Sequence, residues 1–287
     1  MAATHPFTVD LSGKVAVVTG GTGVLGADFS RALAANGAAV VVIGRQQAKA
    51  DAIVRAIANE GGTAIAVACD VLDTGALRAA HEQIRSELGP CDILVNGAGG
   101  NHPKGTTTNE YLTDVDLQPH GPDHVSFFDL DATGIRHVMD LNFLGALLTT
   151  QEFAKDMVDR PGGSILNISS MNAFTPLTKI PAYSAAKAAV TNLTQWLAVH
   201  FAPVGVRVNA IAPGFFATEQ NRRLLFEEDG SLSARSRKIL AATPMARFGE
   251  AHELLGSLLF LASDDAAGFV SGITIPVDGA FSAYSGV

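Results

Sequence analysis

The stretch Val15–Gly26, "VAVVTGGTGVLG", decides the fold. An unbroken apolar run meets a cluster of glycines, Gly20, Gly21, Gly23 and Gly26. The chain then enters an alanine-rich segment over 26–36, with Leu25, Phe29, Leu33 and Ala34 at helical spacing and Gly37 as the stop. Strand, glycine turn and helix in that order form the first half of a phosphate-binding unit. Glycine is needed where φ is positive or where backbone must approach a pyrophosphate, and the helix N-terminus adds free N–H groups and partial positive charge. Two frames fit. Gly21, Gly23 and Gly26 spell G-x-G-x-x-G, whereas Thr19, Gly20 and Gly26 fit T-G-x-x-x-G-x-G with Val24 at the middle glycine. A tight turn holding no ligand also accounts for such a cluster taken alone.

Outward from this unit, short apolar runs alternate with longer alanine- and leucine-rich segments: "AAVVVIG", "TAIAVACD", "CDILVNGAG", "GSILNISS", "VRVNAIAPG" and "ITIPVDG". Runs without polar alternation predict strands buried on both faces. The intervening helical segments predict an α/β fold, one doubly wound parallel sheet with helices on both faces, as a single domain over 1–287. One segment breaks the rhythm. Gly100–Asp131 is polar, rich in Pro and Gly and without a period, so it is either a functional loop or disordered.

A net charge of -8 and the lack of a basic run argue against a nucleic-acid partner and favour a small molecule. Two separated cysteines, Cys69 and Cys91, form no disulfide framework or thiolate metal site. No metal ligation is expected, because His102 has no second ligand at metal spacing. No apolar run is long enough for a membrane span, and "MAATHPFTVD" lacks the charged and apolar regions of a secretory signal, so the expectation is a cytoplasmic protein with no membrane partner.

The second strand ends at Gly44-Arg45. An acidic residue there would accept from an adenosine ribose and mark NAD; its absence, with a guanidinium next to it, suits a 2′-phosphate, although Arg45 also reads as a solvated surface charge. Farther on, Pro181 suits a first helical turn, which puts Tyr183 and Lys187 at i and i+4 on one face. An ammonium beside a phenol favours phenolate, the form needed for proton transfer near neutrality. Ser170 stands at the end of the run "SILNISS", where its hydroxyl can hold a substrate oxygen or simply form a turn.

Taken together, "TGGTGVLG", "NGAGG", Asn142 in "MDLNFLGA", Ser170, "YSAAK" and "NAIAPGFFAT" resemble the short-chain dehydrogenase/reductase family, in its classical branch, over nearly the whole chain. The resemblance implies a nicotinamide cofactor, an oxidoreductase and a tetrad of Asn142, Ser170, Tyr183 and Lys187. Tyr183 transfers the proton, Lys187 activates it and binds ribose, Ser170 positions the carbonyl and Asn142 supports a water relay. The turn of Gly20, Gly21, Thr22, Gly23, Val24, Leu25 and Gly26 holds the pyrophosphate. Asp70 and Val71 lie at the adenine edge, Asn96, Gly97, Ala98 and Gly99 beside the adenosine, and Pro213, Gly214, Phe216 and Thr218 toward the carboxamide. The chain departs from the family at Val24, which replaces a glycine, and at Gly97, which replaces an asparagine.

"NGAGGNHPKGTT" with the ending "VDGAFSAYSGV" further resembles one subgroup, the D-mannonate oxidoreductases or fructuronate reductases, with gluconate 5-dehydrogenase and 3-oxoacyl reductase types as alternatives. A non-catalytic dinucleotide-binding protein would not need Ser170, Tyr183 and Lys187 together. The Gly44-Arg45 argument favours NADP, while the subgroup resemblance points to NAD. For a sugar acid, Asn172 and Asn101 are expected to bind hydroxyls. Lys104, or Arg222 or Arg223 of a substrate lid over 218–239, is expected to bind the carboxylate. The family resemblance also implies a homotetramer built through the helices that carry Asn142 and Tyr183 and through the C-terminal strand.

Overall fold

The run that opens the chain forms strand β1 (Val15–Thr19) and the alanine-rich segment helix α1 (Val24–Ala35) in a computed structural model that describes residues 9–119, 121–217 and 225–286. The other apolar runs form β2 (Ala39–Gly44), β3 (Thr63–Ala68), β4 (Ile93–Asn96), β5 (Ser164–Ile168), β6 (Arg207–Pro213) and β7 (Thr274–Val277). All pair in parallel, in the order β3-β2-β1-β4-β5-β6-β7. The inner strands are buried on both faces, as uninterrupted apolar sequence requires. The edge strands are not: β3 and β7 keep half-exposed and exposed residues, because each has a neighbour on one side only.

Helices cover both faces. Phe29 and Leu33 of α1, Ile57 of α2 (Gln47–Asn59) and Leu258 and Leu261 of α8 (Leu255–Ala262) pack on one face. On the other lie Leu77 and Ile84 of α3 (Thr74–Glu87), Phe153 of α5 (Gly145–Phe153) and Leu193 and Leu197 of α6 (Pro181–Phe201). The strand order reverses between β1 and β4, and the crevice beyond their C-terminal ends is where open α/β sheets bind ligands.

The aperiodic segment before α4 (Ala132–Met139) is organised by its own hydrogen bonds. It contains three single 3-10 turns, Pro103–Gly105, Asp114–Leu117 and Phe127–Asp129. Buried Asp116 accepts from Thr113 N at 2.7 Å and Thr113 Oγ1 at 2.8 Å, and lies 2.8 Å from His124 Nε2. Turns this short impose no helical or strand period, which is why none is visible in the sequence. A single π turn, Asp140–Leu144, then joins α4 to α5.

Candidate active site

The glycine turn closes against the end of β4. Gly20 has φ +66, and a Cβ there would fall 2.7 Å from the backbone of Gly97 and Ala98. A Cβ on Gly26 would fall 2.2 Å from Gly20 O, so α1 passes directly over the turn. Gly21 is buried against Val42 and does not reach the cleft surface. Gly23 is different: it caps α1 with φ -78, an ordinary conformation, and a Cβ there would come no nearer than 3.2 Å to Gly20 O. Val24 is the first helical residue, so its substitution for glycine strains no backbone. The turn therefore keeps the frame of Gly20 and Gly26, and the first amides of α1 remain available to an anion.

Two contiguous clefts meet at Gly20, Gly23, Gly97 and Gly99. One, of about 390 Å³, carries Val24, Leu25, Gly26, Ser170, Tyr183, Lys187, Pro213, Gly214 and Phe216; Ile168, Ser169 and Gly100, unforeseen in the sequence, also line it. The other, of about 260 Å³, carries Thr22, Arg45, Asp70, Val71 and Ala98, together with Cys69 and Leu141. A surface that includes Gly20, Gly26 and Gly97, whose Cβ positions are blocked by backbone, fits an extended dinucleotide lying close against the chain. Asn96 does not join this surface. It is 4% exposed and its amide turns inward, donating to Asn167 Oδ1 at 2.8 Å and Thr150 Oγ1 at 3.0 Å. Thr19 does unexpected work here: its Oγ1 accepts from Gly97 N at 3.2 Å and Ala98 N at 3.3 Å and holds β4 to the turn.

At the end of β2, a Cβ on Gly44 would fall 2.5 Å from the Thr22 side chain. Thr22 fills the place of an acidic side chain, and Arg45 stands exposed beside it on the cleft rim.

Ser170, Tyr183 and Lys187 converge on the first cleft. Pro181 opens α6, and the helical spacing brings Lys187 Nζ to 5.6 Å from the centroid of the Tyr183 ring. Lys187 is 5% exposed and donates to Ile168 O at 2.7 Å; burial brings its pKa down to about 8. Burial raises the Tyr183 phenol above its usual value, and hydrogen bonding with Ser170 opposes this. Asn142 lies in the π turn, with Nδ2 donating to Gly100 O at 2.7 Å and Val138 O at 2.8 Å and Oδ1 accepting from Gly100 N at 3.2 Å. A Cβ on Gly99 would fall 2.6 Å from Asn142 Oδ1 and 3.2 Å from Lys187 Nζ, which places the two side chains together against one face of this glycine.

The expected substrate residues separate. Asn172 is 4% exposed beside Ser170, its N–H donating to Ser170 Oγ at 3.2 Å, and its Oδ1 has no partner among the described residues. Asn101 is exposed and donates to Thr106 Oγ1 at 2.9 Å; neither it nor Asn172 lines either cleft, although their neighbours Gly100 and Ser170 do. Lys104 lines neither cleft: its ammonium faces outward and pairs with Asp131 at 3.4 Å. Thr218, Arg222 and Arg223 lie outside the described residues, as does the first part of the expected lid; its later part forms α7 (Ala234–Ala241). Among the described residues, no cluster of His, Cys, Asp or Glu is arranged for a metal, and no helix is long and apolar enough to cross a membrane.

The chain is similar to known proteins over most of its length. The family model for short chain dehydrogenases matches residues 14–229. An uncharacterised oxidoreductase of Bacillus subtilis (strain 168) is 51% identical, covering 98% of this chain and 99% of its own. A crystal structure from Haemophilus influenzae, provisionally named a D-mannonate oxidoreductase and containing bound NAD, is 50% identical with a TM-score of 0.93 over 98% of this chain and 99% of that one. The 2-dehydro-3-deoxy-D-gluconate 5-dehydrogenase of Formosa agariphila is 31% identical over 96% of each chain.

Proposed function

The chain belongs to the short-chain dehydrogenase family, an NAD(P)-dependent oxidoreductase, and from that premise we propose that it interconverts a hydroxyl and a ketone on a sugar acid, D-mannonate and D-fructuronate in particular. The observation that carries the reading is the convergence of Ser170, Tyr183 and Lys187 on the cleft lined by the glycine turn. The likeness to the Haemophilus protein and to a sugar-acid dehydrogenase supports the substrate class.

A bound nicotinamide dinucleotide supplies or accepts the hydride. The chain supplies the rest. The amides of Val24 and Leu25 and the bare backbone of Gly20, Gly97 and Gly99 hold the dinucleotide, and Lys187 reaches its ribose. Ser170 and Tyr183 hold the reacting oxygen, and Tyr183 gives or takes its proton. A phenol raised by burial is a ready donor in the reducing direction. Its ionisation in the oxidising direction relies on positive charge brought near it. Asn142 is a positioning residue, tying Gly100 to α4. Asn172, beside Ser170, and Asn101, next to Gly100, are assigned to substrate hydroxyls.

Arg45, with Thr22 in the place of a carboxylate, favours NADP; the NAD of the Haemophilus structure supports NAD as the second reading. We assign one domain over 1–287, a cytoplasmic location and a homotetramer, the last supported by exposed Trp196 and Val199 on α6 and Phe269 and Ile273 ahead of β7. The test is a panel of sugar acids, 3-oxoacyl thioesters and neutral ketones, assayed by nicotinamide absorbance with both cofactors. Turnover of D-fructuronate is expected, with higher kcat/KM for NADPH that Arg45→Ala reduces about 10-fold while sparing NADH. Activity confined to an acyl thioester overturns the substrate class, and equal loss with both cofactors overturns the role of Arg45.

A further inference from the structure

A cavity of about 590 Å³ is linked to the catalytic cleft through the chain: Phe215 lines the cavity, while Gly214 and Phe216 on either side of it line the cleft. The cavity opens between α7 and the segment Thr175–Lys179, which leads from Ser170 toward Tyr183; Phe215 and Phe281 complete its wall. The chain carries a net charge of -8, yet the charged residues lining this cavity among those described are Lys179, Arg235, Lys238 and Glu110. Glu110 takes Lys238, with Nζ donating to both carboxylate oxygens at 3.0 and 2.9 Å. The side chains of Lys179 and Arg235 make no hydrogen bond or ion pair with a described residue. Their charge reaches Glu110 only at longer range. An acidic protein thus concentrates surplus cations beside its catalytic cleft.

Lys179 is held there against its own preference. Its φ of +72 is a left-handed conformation that disfavours lysine, and departures of this kind persist only where surrounding structure enforces them. The enforcing contact comes from the aperiodic segment: Thr107 N donates to Lys179 O at 2.9 Å. Pro181 follows two residues later and starts the helix that presents Tyr183.

We infer that Lys179 and Arg235 bind the substrate carboxylate, and that the site selects acids whose carboxylate lies several carbons from the reacting carbon. The inference rests on the sugar-acid reading above and gives that substrate a direction, with the ketone at Ser170 and Tyr183 and the carboxylate in the cationic cavity. An acid with its carboxylate next to the ketone cannot place both groups. Lys104, paired with Asp131 outside the cleft, is released from this role.

The experiment uses the full-length enzyme with D-fructuronate, whose carboxylate is remote from the ketone, and 2-keto-D-gluconate, whose carboxylate adjoins it. Lys179→Gly removes the charge while suiting the left-handed backbone; Arg235→Gln and Lys179→Arg accompany it. Wild type is expected to prefer D-fructuronate, with a KM that rises with added KCl. Lys179→Gly and Arg235→Gln should each raise that KM by roughly 10- to 100-fold, flatten its salt dependence and leave kcat and dinucleotide Kd within a few-fold. Lys179→Arg should recover most of the loss. If wild type turns over D-fructuronate but both charge-removing variants keep its KM within two-fold, the carboxylate assignment is wrong while the sugar-acid reading stands. If wild type turns over no sugar acid, both fall.

Discussion

The glycine-lined cleft and the cationic cavity are built from different materials. The cleft proposed for the dinucleotide is backbone: Gly20, Gly26 and Gly97 leave no room for a Cβ beside neighbouring main chain, and main-chain amides lie at the start of α1. The cationic cavity is side chain: Lys179, Arg235, Lys238 and Glu110 stand around it, with Phe215 and Phe281 in its wall. A backbone site is rigid and selects by shape, so small additions are costly. A charged side-chain site selects by complementarity and can change substrate without disturbing the fold. Tyr183 and Ser170 line the cleft, and Thr175–Lys179 of the cavity wall lies between them in sequence.

The largest consequence falls within the glycine turn. Gly26→Ala puts a methyl 2.2 Å from Gly20 O, backbone that cannot yield as a flexible side chain can. A penalty of about 3 kcal/mol from such overpacking lowers dinucleotide affinity about 100-fold or unfolds the turn. Gly23→Ala, at 3.2 Å and with ordinary φ, retains the fold. Thermal melts of both variants with a dinucleotide titration check the contrast; equal behaviour would mean that closure of the turn is not what demands glycine.

A smaller effect separates burial from binding at Lys187. Burial takes its pKa from the ordinary 10.5 to about 8, so between those values the unfolded chain binds more protons than the folded one. The contribution of Lys187 to the stability of the unliganded protein therefore rises with pH across that window, by on the order of 2 kcal/mol, and is constant below it. Denaturant unfolding at pH 7.5 and pH 10 should show wild type gaining on Lys187→Met at the higher pH. A constant difference between the two proteins would count against a lysine desolvated in the folded state.

The features legible in the sequence are those that period and backbone chemistry impose. All seven strands form from the apolar runs, and Pro181 starts the helix that aligns Tyr183 with Lys187. Features that depend on three-dimensional competition were not legible. Nothing in "VVVIGRQ" tells that Thr22 occupies the space beside Gly44, nor does "NGAGG" tell that Asn96 turns into the core toward Asn167. Lys104 and Lys179 look equally like surface lysines. Asp131 claims the first, while a left-handed backbone and Thr107 set the second at the cavity. Both selections act between residues far apart in the chain, and a local pattern carries no trace of them.

The central claim is that proton transfer takes place in the glycine-lined cleft, at Tyr183. Tyr183→Phe tests it most directly, with dinucleotide Kd by fluorescence and single-turnover rates with D-fructuronate measured on the same preparation. The account predicts dinucleotide Kd within a few-fold of wild type and a rate lower by about 100- to 10,000-fold. A variant that binds dinucleotide normally and still turns over near the wild-type rate would contradict it.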